Sequence, residues 1–151
     1  MQEVLNEAKK QYATDMHTAE HILNRTMVNL FGCPRSATSH IERKKSKCDY
    51  LLAQAPTDAQ IDEISRKVNE VISMHLAVTD ELMTRDEAAQ IVDLSKLPSD
   101  ASELLRVVRV GDYDACACIG QHVSNTSEIG CFEIISHDYD GVRWRVRFKL
   151  Q

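Results

Sequence analysis

The sequence predicts an α+β fold in which helices pack on an antiparallel or mixed β-sheet. Two observations predict this class. Apolar residues recur at helical spacing near the start and in the middle of the chain, whereas the C-terminal part alternates apolar and polar residues as a strand does. Asp140-Gly141 separates the last two predicted strands and indicates a tight hairpin, so at least that pair is antiparallel.

The N-terminal region predicts one long helix behind a short one. Residues 1–13 are interpreted as a short helical extension of a single domain that spans 1–151. The next helix begins at an N-cap, either Thr14 or Asp15, and continues to about Leu30. A glycine and a proline follow directly and end it.

Two capping boxes predict two further helices. Thr57-x-x-Gln60 begins a long helix, and Thr84-x-x-Glu87 begins a short one. The long helix has an apolar stripe at helical spacing that predicts its buried face: Ile61, Ile64, Val68, Val71 and Ile72.

Strands are predicted between and after these helices. Residues 36–52 form one or two strands joined by a basic loop. Further strands are expected at 76–79, 104–110, 129–137 and 142–150. Residues 116–122 are expected to form a loop or a tight strand end, in which a glycine permits a close turn.

Composition limits the class of protein. Hydrophobic residues make up 43% of the 151 residues, yet no apolar run reaches membrane-spanning length. The N-terminal residues lack a secretory signal, and the five cysteines lack the spacing of a disulfide framework. We therefore expect a cytoplasmic protein with reduced cysteines and no membrane partner.

The most informative motif is His17-Thr-Ala-Glu-His21, followed about a hundred residues later by Cys118-Ile-Gly-Gln-His122. In a helix, residues four apart lie on one face, where both side chains can bind the same ion. Three imidazoles and one thiolate form a tetrahedral donor set that favours Zn²⁺ over Mg²⁺ or Ca²⁺. Each half of the pattern is weak alone, because a histidine pair on a helix can also be hydrogen-bonded packing.

A zinc peptidase is the competing interpretation of the first half. His17-x-x-Glu20-His21 matches the H-x-x-E-H pattern, in which the glutamate activates water. Those enzymes take a carboxylate as third ligand from a second helix, whereas this chain offers Cys118 and His122. A zinc ion that already has four protein ligands is less suited to keep open a strongly Lewis-acidic coordination position. The sequence therefore disfavours peptide hydrolysis.

Basic residues concentrate in two clusters although the net charge is −5. The clusters are Arg43, Lys44, Lys45 and Lys47, and Arg143, Arg145, Arg147 and Lys149. Phosphate affinity comes mostly from lysine and arginine, so only these local surfaces are candidates for nucleic-acid binding. The alternative is that both are ordinary solvated surfaces.

These motifs resemble a known family. His17-Thr-Ala-Glu-His21-Ile-Leu and Asp-x-x-Ala-Cys118-x-Gly-x-His122-Val-x-x-Thr126-x-Glu128-Ile-Gly are similar to the editing domain of alanyl-tRNA synthetase. The similarity is strongest to its free-standing AlaX-type relatives and extends more distantly to the threonyl-tRNA synthetase editing domain. It covers roughly residues 14–150.

The resemblance implies a fold, an activity and a partner. The fold is the editing domain common to threonyl- and alanyl-tRNA synthetases. The activity is zinc-dependent hydrolysis of mischarged tRNA, with Ser-tRNA(Ala) expected first and Gly-tRNA(Ala) second. The partner is the 3′ acceptor end of tRNA, which the basic clusters would contact. The Zn²⁺ ligands map to His17, His21, Cys118 and His122.

The resemblance also implies roles for residues around the zinc. Thr38, Gly120 and Thr126 are expected to contact the substrate, and Glu20 and Gln121 to take part in catalysis. Thr38 can equally be an ordinary strand residue, and Gln121 can face solvent.

The loop Cys118-Ile-Gly-Gln-His122 departs from the synthetase form Cys-Gly-Gly-Thr-His. This departure leaves two alternatives open. One is a non-catalytic zinc-bearing module that binds tRNA or protein, and the other is a hydrolase of a non-tRNA ester or amide.

Overall fold

The structure is a computed structural model that describes residues 13–94 and 103–151. The predicted extension at residues 1–13 lies outside these ranges, except for its last residue. The helices are α1 (Thr14–Phe31), α2 (Asp58–Ser73) and α3 (Arg85–Ala89), with a 3-10 turn at Thr126–Glu128. The strands are β1 (Thr38–His40), β2 (Ser46–Leu51), β3 (Val78–Thr84), β4 (Leu104–Val110), β5 (Asp114–Ala117), β6 (Phe132–Tyr139) and β7 (Arg143–Leu150).

The strands form two sheets, and every paired strand is antiparallel to its neighbour. One sheet has the order β1-β2-β7-β6, and the other has the order β3-β4-β5. With α1 and α2 packed against the larger sheet, this arrangement confirms the predicted α+β class. Across the described residues, no helix is both long and apolar enough to cross a bilayer.

The main core lies between the larger sheet and the two long helices. Trp144, Val146 and Phe148 of β7 are fully buried, and they alternate with arginines that point to the opposite face. Ile22 of α1 and Ile64 of α2 pack into the same core from the helix side. Burying each such side chain contributes about 1.5–3 kcal/mol, which holds α1 firmly on the sheet.

Helix α1 ends as predicted but begins differently. Gly32 adopts a left-handed conformation with φ 67°, and its N–H donates to the carbonyl of Val28. The N-cap is Ala13, which has no side-chain cap, so the predicted cap at Thr14 or Asp15 was wrong. The Asp15 carboxylate instead accepts a hydrogen bond from the N–H of Met16 at 2.7 Å. Asp15 lies in the first turn, where a negative charge is favourable without being the cap.

Both predicted capping boxes are present. At α2, the Thr57 hydroxyl accepts from the N–H of Gln60, and the Gln60 side chain accepts from the N–H of Thr57. Thr84 and Glu87 make the same reciprocal pair at α3. These motifs are local in sequence, which is why the sequence alone locates both helix starts.

Three strand boundaries differ from those predicted. Strand β3 runs over 78–84 rather than 76–79, because pairing with β4 extends it along a mostly exposed segment. Strand β5 covers 114–117, so it begins two residues before the segment 116–122 that was expected to be a loop or a strand end. Strand β6 begins at 132 rather than 129, because the capped 3-10 turn occupies 126–128.

Candidate metal centre

Four predicted ligands meet where the start of α1 contacts the loop after β5. His17 and His21 lie in the first two turns of α1, and Cys118 and His122 lie in that loop. One donor atom from each of the four lies within 4.8 Å of the donor atoms of the others. This spacing places the four donors around one point, as a tetrahedral metal site requires.

The three imidazoles pack closely against one another. The His17 ring stacks on the His122 ring at a centroid distance of 4.2 Å, and the His21 ring meets the His122 ring edge-on at 4.4 Å. The Nε2 atom of His17 is 3.4 Å from the sulfur of Cys118. The sulfur of Cys118 therefore lies beside the stacked rings.

Hydrogen bonds fix which nitrogen of two histidines faces the site. Nδ1 of His17 lies 3.1 Å from the carbonyl oxygen of Gln121, which can only accept, so this nitrogen carries the proton. The Thr18 hydroxyl donates to the carbonyl of Thr14 at 2.9 Å, so it accepts from Nδ1 of His122, also at 2.9 Å. Nε2 of both rings is left as a lone-pair donor, as a zinc ligand must be.

A buried aspartate supports the third histidine. Nδ1 of His21 lies 3.6 Å from Asp114, which is an ionic contact longer than a hydrogen bond. Asp114 is buried, and it accepts from Nε of Arg25 at 3.0 Å and from Nη1 of Arg35 at 2.7 Å. Burial alone would raise the pKa of Asp114, but His21 and Arg35 hold it well below its usual range. Asp114 is therefore a fixed negative charge behind the metal ligands.

The thiol of Cys118 is strongly acidified. Burial raises its pKa, but the adjacent imidazoles of His122, His17 and His21 outweigh burial and lower the pKa to about 3. The group is therefore a thiolate at neutral pH, the form that binds metal ions. By contrast, burial raises the pKa of Cys116, which lies on β5 outside the four-ligand group.

The four residues fit a zinc ion by their chemistry. Nε2 of His122 and Nδ1 of His21 are buried and have no hydrogen-bond partner among the described residues. A buried nitrogen without a partner is costly, and a metal ion at this point would satisfy the one on His122. One thiolate with imidazole nitrogens suits zinc better than an oxygen-preferring cation.

The two predicted catalytic residues lie beside this site. A carboxylate oxygen of Glu20 is 3.7 Å from Nε2 of His17, and the Glu20 side chain is only 12% exposed. Gln121 is exposed, and its backbone carbonyl, not its side chain, holds His17. Gly120 is buried in the same loop, and its carbonyl accepts from the guanidinium of Arg106.

The other predicted substrate residues have different surroundings. The hydroxyl of Thr126 is fully buried, donates to the carbonyl of Ile72 and accepts from the N–H of Leu76, both at 2.9 Å. These bonds favour a structural role that joins α2 to the segment before β3. Thr38 is exposed on β1, where it pairs with Asp49 of β2. Substrate contact by either threonine stays a prediction.

The basic clusters differ in how far their charge is neutralised. Three cations of β7 form ion pairs across the sheet, joining Arg145 to Asp49, Arg147 to Asp138 and Lys149 to Glu133. Arg143 has no ion pair within the described ranges. Arg43, Lys44 and Lys45 are exposed in the loop before β2, and Lys47 is half-buried. Contact of either cluster with nucleic acid stays a prediction.

Sequence reasoning missed two supporting residues. Thr18 lies next to His17, and Asp114 lies four residues before Cys118, so both stand inside the motifs. Their long-range partners are 79 to 105 residues away, as in the hydrogen bonds donated by the N–H of Val123 to Thr18 and by Arg35 to Asp114. Local spacing gives no signal for such contacts.

Comparison with known proteins finds sequences similar to this chain. Residues 105–145 match the family described as the threonyl and alanyl tRNA synthetase second additional domain. The alanine–tRNA ligase of Fervidobacterium nodosum is 34% identical over 137 residues, which is 90% of this chain and 16% of the ligase. The ligase of Halalkalibacterium halodurans gives the same figures, and that of Bacillus subtilis is 32% identical over 130 residues, covering 85% of this chain and 15% of the ligase.

The chain spans about a sixth of the length of these curated relatives. The similarity extends over α1 as well as the matched region, so it includes both halves of the metal site. The chain is therefore similar to one segment of the alanine–tRNA ligases, and part of it matches the second additional domain of threonyl and alanyl tRNA synthetases.

Proposed function

We propose that this chain is a zinc-dependent hydrolase that removes a wrongly attached amino acid from tRNA. We propose Ser-tRNA(Ala) as the principal substrate and Gly-tRNA(Ala) as the second. The observation that carries the proposal is the convergence of His17, His21, Cys118 and His122 in a chain related to alanine–tRNA ligases. The reaction breaks the ester between the amino acid and the terminal adenosine of the tRNA, consuming one water.

Zinc would be held by these four side chains. When bound, it supplies Lewis-acid polarisation of an oxygen and helps to position the substrate. The chain's own residues set the conditions for this chemistry. Thr18 and the carbonyl of Gln121 hold two imidazoles in the ligand tautomer, and Asp114 lies behind the third.

Glu20 is the proposed proton acceptor and donor. It lies 3.7 Å from a ligand nitrogen and is mostly shielded from solvent. A carboxylate in this position can take a proton from the attacking water and return it to the leaving ribose oxygen. Gln121 and Gly120 lie on the loop that forms the site wall, where they can contact the aminoacyl group. Thr38 is retained as a candidate for that contact.

The test compares two cysteine variants. Cys118→Ala removes the thiolate ligand, whereas Cys131→Ala removes an exposed cysteine outside the four-ligand group. Each protein is assayed for zinc content and for deacylation of Ser-tRNA(Ala), Gly-tRNA(Ala), Ala-tRNA(Ala) and Ser-tRNA(Thr).

We expect Cys118→Ala to lose zinc and deacylation together, and Cys131→Ala to keep both. Full activity of a zinc-free Cys118→Ala protein would contradict the zinc requirement. Hydrolysis of Ser-tRNA(Thr) alone would show that the substrate is mischarged tRNA(Thr) rather than mischarged tRNA(Ala). Tight RNA binding without turnover by the zinc-loaded protein would instead favour a non-catalytic module.

A further inference from the structure

A second polar site adjoins the metal centre along α1. His17, His21, Arg25 and Asn29 are spaced by four residues, so they form one stripe on the helix. Four residues of helix advance about 6 Å along the axis. The stripe thus begins with two metal ligands and continues with a guanidinium and an amide.

The stripe's second half forms one wall of a cleft. The cleft has a volume of about 440 Å³, and its opposite wall includes Arg109 of β4, the turn at 111–113 and the start of β5. The chain beside α1 runs in the reverse direction, because Thr18 contacts His122 whereas Thr26 contacts Tyr113. The metal centre and the cleft are therefore successive parts of one surface between α1 and β5.

Two arginines in this cleft have unused donor groups. Arg25 donates Nε to Asp114, while its terminal amino groups form no ion pair or hydrogen bond with other described residues. Arg109 forms no ion pair or hydrogen bond through its side chain within the same ranges. Asp112 also lines the cleft, but no ion pair in the described structure joins it to either arginine.

The local charge is positive despite the acidic chain. Asp114 is already neutralised by the two donors of Arg35, which bind it at 2.7 and 3.2 Å. The charged residues that line the cleft are Arg25, Arg109, Asp112 and Asp114. Because Arg35, which lies outside the lining, neutralises Asp114, only Asp112 opposes the two lining arginines. When the terminal amino groups of an arginine face a polar cleft, they can donate hydrogen bonds to phosphate oxygens.

We propose that this cleft binds a backbone phosphate of the nucleic-acid strand whose 3′ end reaches the metal centre. This inference rests on the proposed function. It makes the cleft, rather than β7, the principal phosphate contact near the site. The β7 cations lie on the sheet face opposite the core and are largely paired with carboxylates. Arg25 and Arg109 lie beside the metal ligands and keep donors unused.

The test measures equilibrium binding of a deacylated RNA hairpin that ends in single-stranded CCA, as a function of salt. Arg109→Gln removes one charge from the cleft, and Arg143→Gln removes one from β7 as the matched control. Arg109→Lys keeps the charge, and Asn29→Asp adds a negative charge to the same cleft. A blunt hairpin without the CCA end is the control RNA. Far-ultraviolet circular dichroism and zinc content verify that each variant is folded.

We expect Arg109→Gln to weaken binding of the CCA hairpin and to lower the slope of log affinity against log salt by about 0.7, the value for one single-strand phosphate. Arg143→Gln and Arg109→Lys should leave the slope unchanged, and Asn29→Asp should weaken binding more than Arg143→Gln. The blunt hairpin should show no difference between Arg109→Gln and wild type.

The inference is overturned if Arg109→Gln and Arg143→Gln give the same slope of log affinity against log salt. It is also overturned if the wild-type protein does not bind the hairpin. This result is independent of turnover, because the probe carries no amino acid. If the protein deacylates Ser-tRNA(Ala) but Arg109→Gln leaves binding of the CCA hairpin unchanged, only the phosphate site is refuted. An Arg109 effect without deacylation would refute only the proposed activity.

Discussion

At the scale of the residue, one buried carboxylate supports the candidate metal centre. Asp114 accepts hydrogen bonds from two arginines and faces a histidine ligand, and it is almost fully buried. Its charge is compensated by the arginines and also stabilises His21 in one orientation. Metal affinity commonly falls 10- to 100-fold when such a supporting group is removed.

Replacing Asp114 with Asn should therefore weaken zinc binding about 10- to 100-fold. It should also lower the free energy of unfolding by about 3 kcal/mol, because Arg25 and Arg35 lose their shared counter-charge. Chelator competition and urea unfolding measure the two effects. Asp112→Asn, an exposed neighbour, is the control and should leave zinc affinity unchanged. An Asp114→Asn protein with wild-type zinc affinity would show that the carboxylate does not support the ligand.

Zinc uptake should release about one proton near pH 7, and the proton should come from His21. In the metal-free protein, burial lowers the pKa of His21, but Asp114 and the Cys118 thiolate outweigh burial and raise it well above 6.5. Cys118 has a pKa of about 3, and burial lowers the pKa of His122 to about 4. At pH 7, neither residue therefore carries a proton on the atom that would bind zinc. Apparent zinc affinity should thus rise with pH until the pKa of His21 is passed.

Calorimetry of zinc binding in two buffers of different ionisation enthalpy counts the protons released. Asp114→Asn should reduce the number, because it removes a group that keeps His21 protonated. No proton release by the wild type would contradict this assignment of charges.

Glu20→Gln should leave zinc content unchanged and reduce the deacylation rate by about 10²- to 10⁴-fold. The amide keeps the shape of the side chain but cannot accept the proton of the attacking water. Single-turnover deacylation with zinc-loaded protein measures the chemical step. Glu81→Gln, an exposed residue of β3, is the control. A wild-type rate for Glu20→Gln would exclude the carboxylate from proton transfer.

At the scale of the element, one hydroxyl of α1 makes two of the hydrogen bonds that join this helix to the loop that carries Cys118 and His122. Thr18 Oγ1 donates to Thr14 and accepts from His122 and from the N–H of Val123. Thr18→Val would leave two donors without an acceptor, at a cost of about 1–3 kcal/mol each when buried. We expect lower stability and weaker zinc binding, measured by urea unfolding and chelator competition.

The matched control is Thr26→Val, two turns later on the same helix. Thr26 is equally buried and bonds Ile22 and Tyr113, but it does not contact a metal ligand. It should lose stability while keeping zinc affinity. Equal loss of zinc affinity in both variants would indicate a general effect of destabilising α1 rather than a specific link to His122.

At this scale, a feature can be predicted from the sequence when its interacting residues are close together in the chain. The capping boxes at Thr57 and Thr84 and the final glycine of α1 are local, and the structure confirms them. The four ligands were predictable because four-residue spacing reflects one helical turn or one short loop. Strand β5 was not predicted, because its four residues gain strand geometry from pairing with β4. Asp114 and Thr18 were missed for the same reason, since their partners are distant in the chain.

At the scale of the whole molecule, an acidic chain presents a locally basic surface beside a metal site. The net charge is −5, and several β7 cations are paired with carboxylates. Any affinity for RNA must then come from a few unpaired cations near the site rather than from the average charge. Among the described residues, the cleft of Arg25 and Arg109 lies beside the candidate metal site, and residues 43–45 form a separate exposed basic loop.

We propose that zinc at the four-residue centre enables deacylation. To test this proposal, zinc is returned stepwise to metal-free protein, and hydrolysis of Ser-tRNA(Ala) is followed on the same samples. We predict a rate that rises in proportion to bound zinc and stops rising at one ion per chain. A rate that is the same with and without zinc would contradict the account.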